Sequence, residues 1–146
     1  MTIGSGTVLL GLNGVLMMGT AGTAATTELK NVRDVELKLS WATEDATTRE
    51  SGDVEVSVKT VKKVELSWKM LNIKSHADVT TVRAAFLSAG AVSIKCLDEE
   101  SGWGVDGDFL VTEVGTPQPG KGLQEISVTA VPAYSSRKCV VGPTGA

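Results

Sequence analysis

The densest run of chemically capable side chains in this sequence is LDEESGWGVDGDF, residues 97 to 109, which holds Asp98, Glu99, Glu100, Asp106 and Asp108. Carboxylates at that density could bind calcium, which takes about six to eight oxygen ligands. The spacing fails, because a calcium-loop register beginning at Asp98 puts Phe109 where the closing bidentate Glu belongs. A solvated acidic hairpin is the expectation instead. His76 is the single histidine and falls at the start of an expected helix, where a solvated imidazole needs no catalytic explanation. Cys96 and Cys139 lack CxxC spacing, so a zinc site is not expected. Two free thiols are expected, with a disulfide as the open alternative. No GxSxG elbow places a nucleophile, and GTPQPGKG, residues 115 to 122, carries two prolines and misses the phosphate-loop spacing. The expectation is a protein with no catalytic residues, no cofactor and no metal.

The elements that would position such groups are mostly strands. Val35, Leu37, Leu39 and Trp41 alternate with Asp34, Glu36, Lys38 and Ser40, the period of a half-buried strand. Val54, Val56 and Val58 alternate likewise, as do Val64, Leu66, Trp68 and Met70. The Lys-containing stretch between those two runs is consistent with a hairpin or with a bend at a bulge. Val92, Ile94 and Cys96, the run Phe109 to Val114, and Ile126, Val128 and Ala130 add further strands, the last ended by Pro132. Trp41 and Trp68 both fall on apolar strand faces, so core packing is expected of both, whereas Trp103 between two glycines is left to cap the fold or touch a partner.

One segment has a different period. In SHADVTTVRAAFLSAG, residues 75 to 90, Ser75 stands as N-cap, Asp78 follows three positions later, and Gly90 closes. Val79, Val82 and Phe86, widened by Ala85 and Ala89, form the apolar stripe of one helix over 76–88. The fold class expected is mainly β: an antiparallel β-sandwich or barrel with one flanking α-helix.

With 146 residues, 42% hydrophobic and 21% charged, the chain fits one globular domain. Residues 1–28 read as an N-terminal strand and connector arm, with strand segments Val8 to Leu10 and Val15 to Met18 and a flexible connector from Gly19 to Thr27. Residues 134–146 read as a flexible C-terminal tail. The apolar N-terminus has no basic residue before Lys30 and is broken by glycines, so neither a signal sequence nor a membrane span is expected. A net charge of −3 argues against a surface that grips nucleic acid.

After Trp41 the alternation gives way to a charged loop that ends in TEDATTRES. The stretch ELKNVRDVELKLSWATEDATTRESG resembles the opening of phage tail tube proteins, where a segment like "ELTNVRDVTL" leads into an acidic "ADVTTR"-like loop. The preceding VLMMGTAGTAATTELKNVRDV, the single helix, the Gly-rich acidic hairpin around Trp103 and the closing SVTAVPAY strand are similar as well. The resemblance implies a structural virion protein, made in the host cytoplasm, that assembles into hexameric rings stacked as a tube for genome delivery. It implies contacts with tape measure, tail tip or baseplate and terminator proteins, phage DNA passing through the lumen without specific binding, and no membrane. In such an assembly Glu44, Asp45, Thr47, Thr48, Arg49 and Glu50 are the expected inter-subunit contacts. Two other readings stand beside it: a tube protein of a contractile injection or secretion machine, and a monomeric β-sandwich binding module.

Overall fold

The computed structural model describes residues 2–3, 6–7, 14–99, 102–135 and 137–143. The strand segment expected at Val8 to Leu10 lies outside them, as does Glu100. Among the described residues there are ten strands and one α-helix. A two-stranded piece pairs β1 (Thr2–Ile3) with β2 (Gly6–Thr7). All other strands belong to one antiparallel sheet: β3 (Val15–Thr20), β4 (Thr27–Glu28), β5 (Glu36–Asp45), β6 (Ser57–Leu71), β7 (Val92–Leu97), β8 (Trp103–Gly115), β9 (Glu125–Pro132) and β10 (Val140–Pro143). The helix α1 (Ala77–Leu87) follows β6. The chain is thus mainly β and antiparallel with one flanking helix.

The sheet runs β4-β3-β7-β8-β9-β6-β5 and does not close, so the sandwich arrangement holds and the closed barrel does not. β10 adds beside β8, pairing Val140 with Asp106 and Pro143 with Trp103. β7 already holds one edge of β8 there, so β10 takes the edge that β9 uses further along. Residues 140–143, within the segment read as a tail, therefore contribute a strand.

Alternation produced the core where both neighbours of a strand are present. Leu66, Trp68 and Met70 on β6 and Ile126, Val128 and Ala130 on β9 are all buried, paired through registers such as Trp68 with Val128. Leu16 and Met18 of β3, Ile94 and Cys96 of β7, Val105, Phe109 and Val111 of β8, and Val79 and Val82 of α1 join the same cluster. Truncating Trp68 or Phe109 to Ala would cost about 3–5 kcal/mol at such sites.

The helix forms where expected, but its ends differ. The N-cap is His76, in extended backbone, whose Nδ1 accepts from the Asp78 N–H at 3.2 Å. Ser75, expected in that role, sits at φ 61, left-handed rather than the extended conformation a cap requires. The helix ends at Leu87 with Ser88 extended, so Gly90 closes nothing. Phe86 is 44% exposed; the buried positions are Asp78, Val79, Val82 and Ala85. Asp78 is buried because its Oδ2 accepts the backbone N–H groups of Lys30 and Asn31 at 3.1 and 3.0 Å, which ties the connector to the helix.

Candidate interaction surface

β5 and β6 pair continuously from Glu36 with Ser67 to Asp45 with Ser57, whereas β9 accompanies β6 only from Leu66 to Leu71. Beyond Leu66 the two strands therefore project as a hairpin of about nine residues, roughly 30 Å long. This projection overturns one expectation of the alternation. Trp41 and Leu39 lie on the side that carries Leu37, yet they are 43% and 38% exposed, because the body that buries Leu66 no longer lies beneath them. Val54 and Val56 lie in the loop before β6 and are exposed too, as is Val58.

The Lys-containing stretch of β6 is a bulge. Trp41 pairs with Lys62 and Thr43 with Lys59, so Ala42 alone opposes both Thr60 and Val61. The Thr60 hydroxyl donates to the Ala42 carbonyl at 3.1 Å. In a regular strand Lys59 and Lys62 would point to opposite faces. The extra residue returns both to the Trp41 face, and their Nζ atoms stand 5.1 and 5.7 Å from the ring centroid, within cation–π range.

The hairpin tip carries the residues expected to make contacts. Its base is ordered by the chain itself: the Ala46 N–H donates to the Val56 carbonyl at 2.8 Å, and Thr47 Oγ1 accepts from the Val56 N–H at 2.9 Å. Asp45 Oδ1 accepts the Thr47 N–H at 2.9 Å. The Thr47 hydroxyl and N–H together hold the Asp45 carboxyl below its ordinary value. Thr48 precedes a 3-10 turn, Arg49–Ser51, and its N–H donates to Ser51 Oγ at 3.2 Å. Asp45 and Thr47 thus shape the loop from within. Glu44, Arg49 and Glu50 are exposed and form no salt bridge among the described residues.

A second cluster corrects the reading of the acidic run. Asp106 and Asp108 are not part of a solvated hairpin but lie on β8, with Asp108 only 1% exposed. Its carboxylate accepts from the Gly22 N–H at 3.1 Å, the Ser135 hydroxyl at 2.6 Å and Arg137 Nη1 at 3.3 Å. Arg137 also binds Asp106 through Nη2 and Ser93 Oγ through Nη1 at 3.0 Å. Burial alone would raise the Asp108 carboxyl; the bonds from Ser135 and Gly22 and the Arg137 charge outweigh it and hold it below the usual range. Gly22, in the stretch expected to be a flexible connector, is held here at φ 88, and Ala25 beyond it is buried. The cluster is a structural clasp, and none of its buried side-chain polar atoms is left without a partner.

Cys96 is buried and Cys139 half-buried, both as free thiols. Burial pushes the Cys96 thiol up to about 11, helped by the Asp98 charge. Trp103 is 47% exposed beside an open groove lined by Leu16, Leu29, Val35, Leu37 and Leu97 together with Glu28, Lys30, Arg33, Asp34 and Asp98. Among the described residues no group of three or more His, Cys, Asp or Glu could hold a metal ion, and no helix is long and apolar enough to cross a membrane.

No protein-family model and no curated protein matches the sequence. Solved structures do match. A chain of the tail of an empty gene transfer agent particle, refined with C6 symmetry, aligns at a TM-score of 0.75 with 14% identity, over 92% of this chain and 98% of that one. A chain of the SPP1 tail tube aligns at 0.68 with 6% identity, over 92% and 81%. A chain of the sheath-tube complex of PVC, an extracellular contractile injection system, aligns at 0.56 with 6% identity, over 92% of each. Such identities speak to the fold, and across nearly its whole length this chain has the fold of tail tube proteins.

Proposed function

We propose that this protein is a structural subunit of a phage tail tube: copies associate as hexameric rings, and the rings stack into a tube through which the genome passes into the host. The observation that carries the reading is the fold likeness to a gene transfer agent tail chain, which spans both chains almost entirely. The projecting hairpin supports it. A rod of two strands with exposed Leu39, Trp41, Val58 and Val61 is a poor design for a lone domain, and a usual one for a part that neighbours cover.

In this reading the protein is a non-catalytic virion component made in the host cytoplasm. Its partners are itself, the tape measure, terminator and tail tip or baseplate proteins, and DNA that slides through without specific binding. The tip residues Glu44, Asp45, Thr47, Thr48, Arg49 and Glu50 belong to an inter-subunit contact loop. The tube of a contractile injection machine is the second reading, favoured by the match to the PVC chain. Both share ring and tube, and a co-purifying sheath separates them. Negative-stain microscopy of the purified protein tests the proposal: rings and tubes with a central channel are expected. A monomer at every concentration, with no tubes, would remove it in favour of a binding module.

A further inference from the structure

We infer that the Lys59–Trp41–Lys62 face of the projecting hairpin receives the acidic tip, residues 44–55, of a second copy's hairpin. This rests on the tube reading above and says which surfaces of the chain meet.

The two halves of the hairpin differ in charge. The shaft, Leu39 to Thr43 with the facing stretch Lys59 to Lys63, contains Lys59, Lys62 and Lys63 and no acid. The tip contains five acids, Glu44, Asp45, Glu50, Asp53 and Glu55, against the single Arg49, a formal −4. All nine of these charged side chains are exposed. Among the described residues, none of the three shaft lysines is in a salt bridge.

Geometry concentrates the positive charge on one face. The bulge at Thr60 and Val61 sets Lys59 and Lys62 on the strand face of one indole that is itself 43% exposed, each within cation–π range of it. An ammonium over an indole face keeps its outward side free for a carboxylate, and the ring offers an apolar floor for the stem of a Glu. A site built from one aromatic anchor and two cations fits an acidic, flexible-stemmed segment better than a neutral one.

The outer acids of the tip do not reach Lys62 of their own shaft. Tip and shaft lie along one rod, held apart by the continuous pairing that ends at Asp45 with Ser57, so Glu50 and Asp53 cannot fold back onto Lys62. A second copy can supply them. Tip to shaft is a heterologous contact, in which two different surfaces of identical chains meet, and repetition of it propagates an assembly.

Four chains test the inference: the wild type, a shaft reversal Lys59→Glu with Lys62→Glu, a tip reversal Glu50→Lys with Asp53→Lys, and the combination of both. Circular dichroism confirms the fold, and sedimentation with light scattering gives the concentration at which each assembles. Wild-type assembly is expected to need more protein as NaCl rises, because wet ion pairs are screened. Each reversal alone is expected to raise the assembly concentration at least tenfold, and the combined chain to return to within about threefold of wild type. The milder Lys59→Gln with Lys62→Gln is expected to show an intermediate loss, which keeps the test valid if the reversal perturbs folding. Reversals that assemble like wild type, or a combined chain no better than either parent, overturn the inference while leaving the tube reading intact. A wild type that never assembles overturns both. Retention of duplex DNA by the wild type, lost in the shaft reversal and unaffected by the tip, assigns the surface to nucleic acid and overturns it as well.

Discussion

Arg137 Nη1 lies 3.3 Å from the carboxylate of Asp108, a side chain with no exposure to solvent, and this pair fastens the stretch before β10 to the middle of β8. Its weight is in what it holds together: the Gly22 turn after β3, Ser135 and Arg137 all meet at one carboxylate.

Asp108→Ala removes that acceptor and leaves the Gly22 N–H, the Ser135 hydroxyl and part of the Arg137 charge unanswered. The expected loss is about 3–5 kcal/mol of folding stability, as for other broken buried pairs. Chemical denaturation followed by tryptophan fluorescence checks it.

The same carboxylate sets an acid limb of stability. Its folded-state value is depressed, so the unfolded chain binds the proton more readily, and the contribution is full above the unfolded value of 3.8. It is lost as pH falls through the folded value. Denaturation midpoints measured from neutral pH down into strong acid should drop below about pH 4 in the wild type. The drop should be shallower in Asp108→Asn.

Gly107 is a contact that admits no side chain. A Cβ there would stand 2.5 Å from the Cα of Cys139, which crosses directly over it. Gly107→Ala should destabilise by about 1–3 kcal/mol through overpacking, visible as a lowered melting temperature. Gly115→Ala, where the added atom meets nothing, is the control.

Cys96 should be inert in the folded protein. With its thiol raised to about 11, an aromatic disulfide reagent at pH 8 is expected to label Cys139 first and Cys96 only on unfolding. Labelling of the Cys96→Ser and Cys139→Ser variants assigns the two phases.

Arg49→Glu addresses the contact loop. The monomer should keep its fold, since Arg49 is exposed and makes no salt bridge among the described residues, while tube formation should require less protein, because the change makes the acidic tip still more negative. Lys121→Glu, in the exposed loop before β9, should change neither property. An assembly concentration for Arg49→Glu unchanged from wild type would mean that the loop is merely solvated.

Local chemistry makes much of this protein legible in its sequence. The alternation of Leu66, Trp68 and Met70, or of Ile126, Val128 and Ala130, names a strand and its buried face, because a strand inside a sheet has core on one side and the period is two. The turn of small, polar and apolar residues from His76 onward names the helix for the same reason at another period. The resemblance carried by the stretch from Glu28 to Gly52 pointed to the tail tube fold that the solved structures share.

Tertiary structure decided the rest, wherever a residue's fate depends on something distant in the chain. Leu39 and Trp41 continue the apolar face of Leu37 in perfect alternation, yet they are exposed because β9 stops short of them, a fact about another strand's length. Spacing alone hinted at the bulge: Val58, Val61 and Val64 stand three apart instead of two. Only the pairing with β5 shows which residue is extra and that Lys59 and Lys62 share one face. Asp106 and Asp108 read as solvated because acidic runs near glycines usually are, and their partner Arg137 lies 31 and 29 positions away. Pattern reports the neighbours a strand makes along itself; the charge that neutralises a buried carboxylate comes from wherever the fold brings the chain back, and no local period encodes that return.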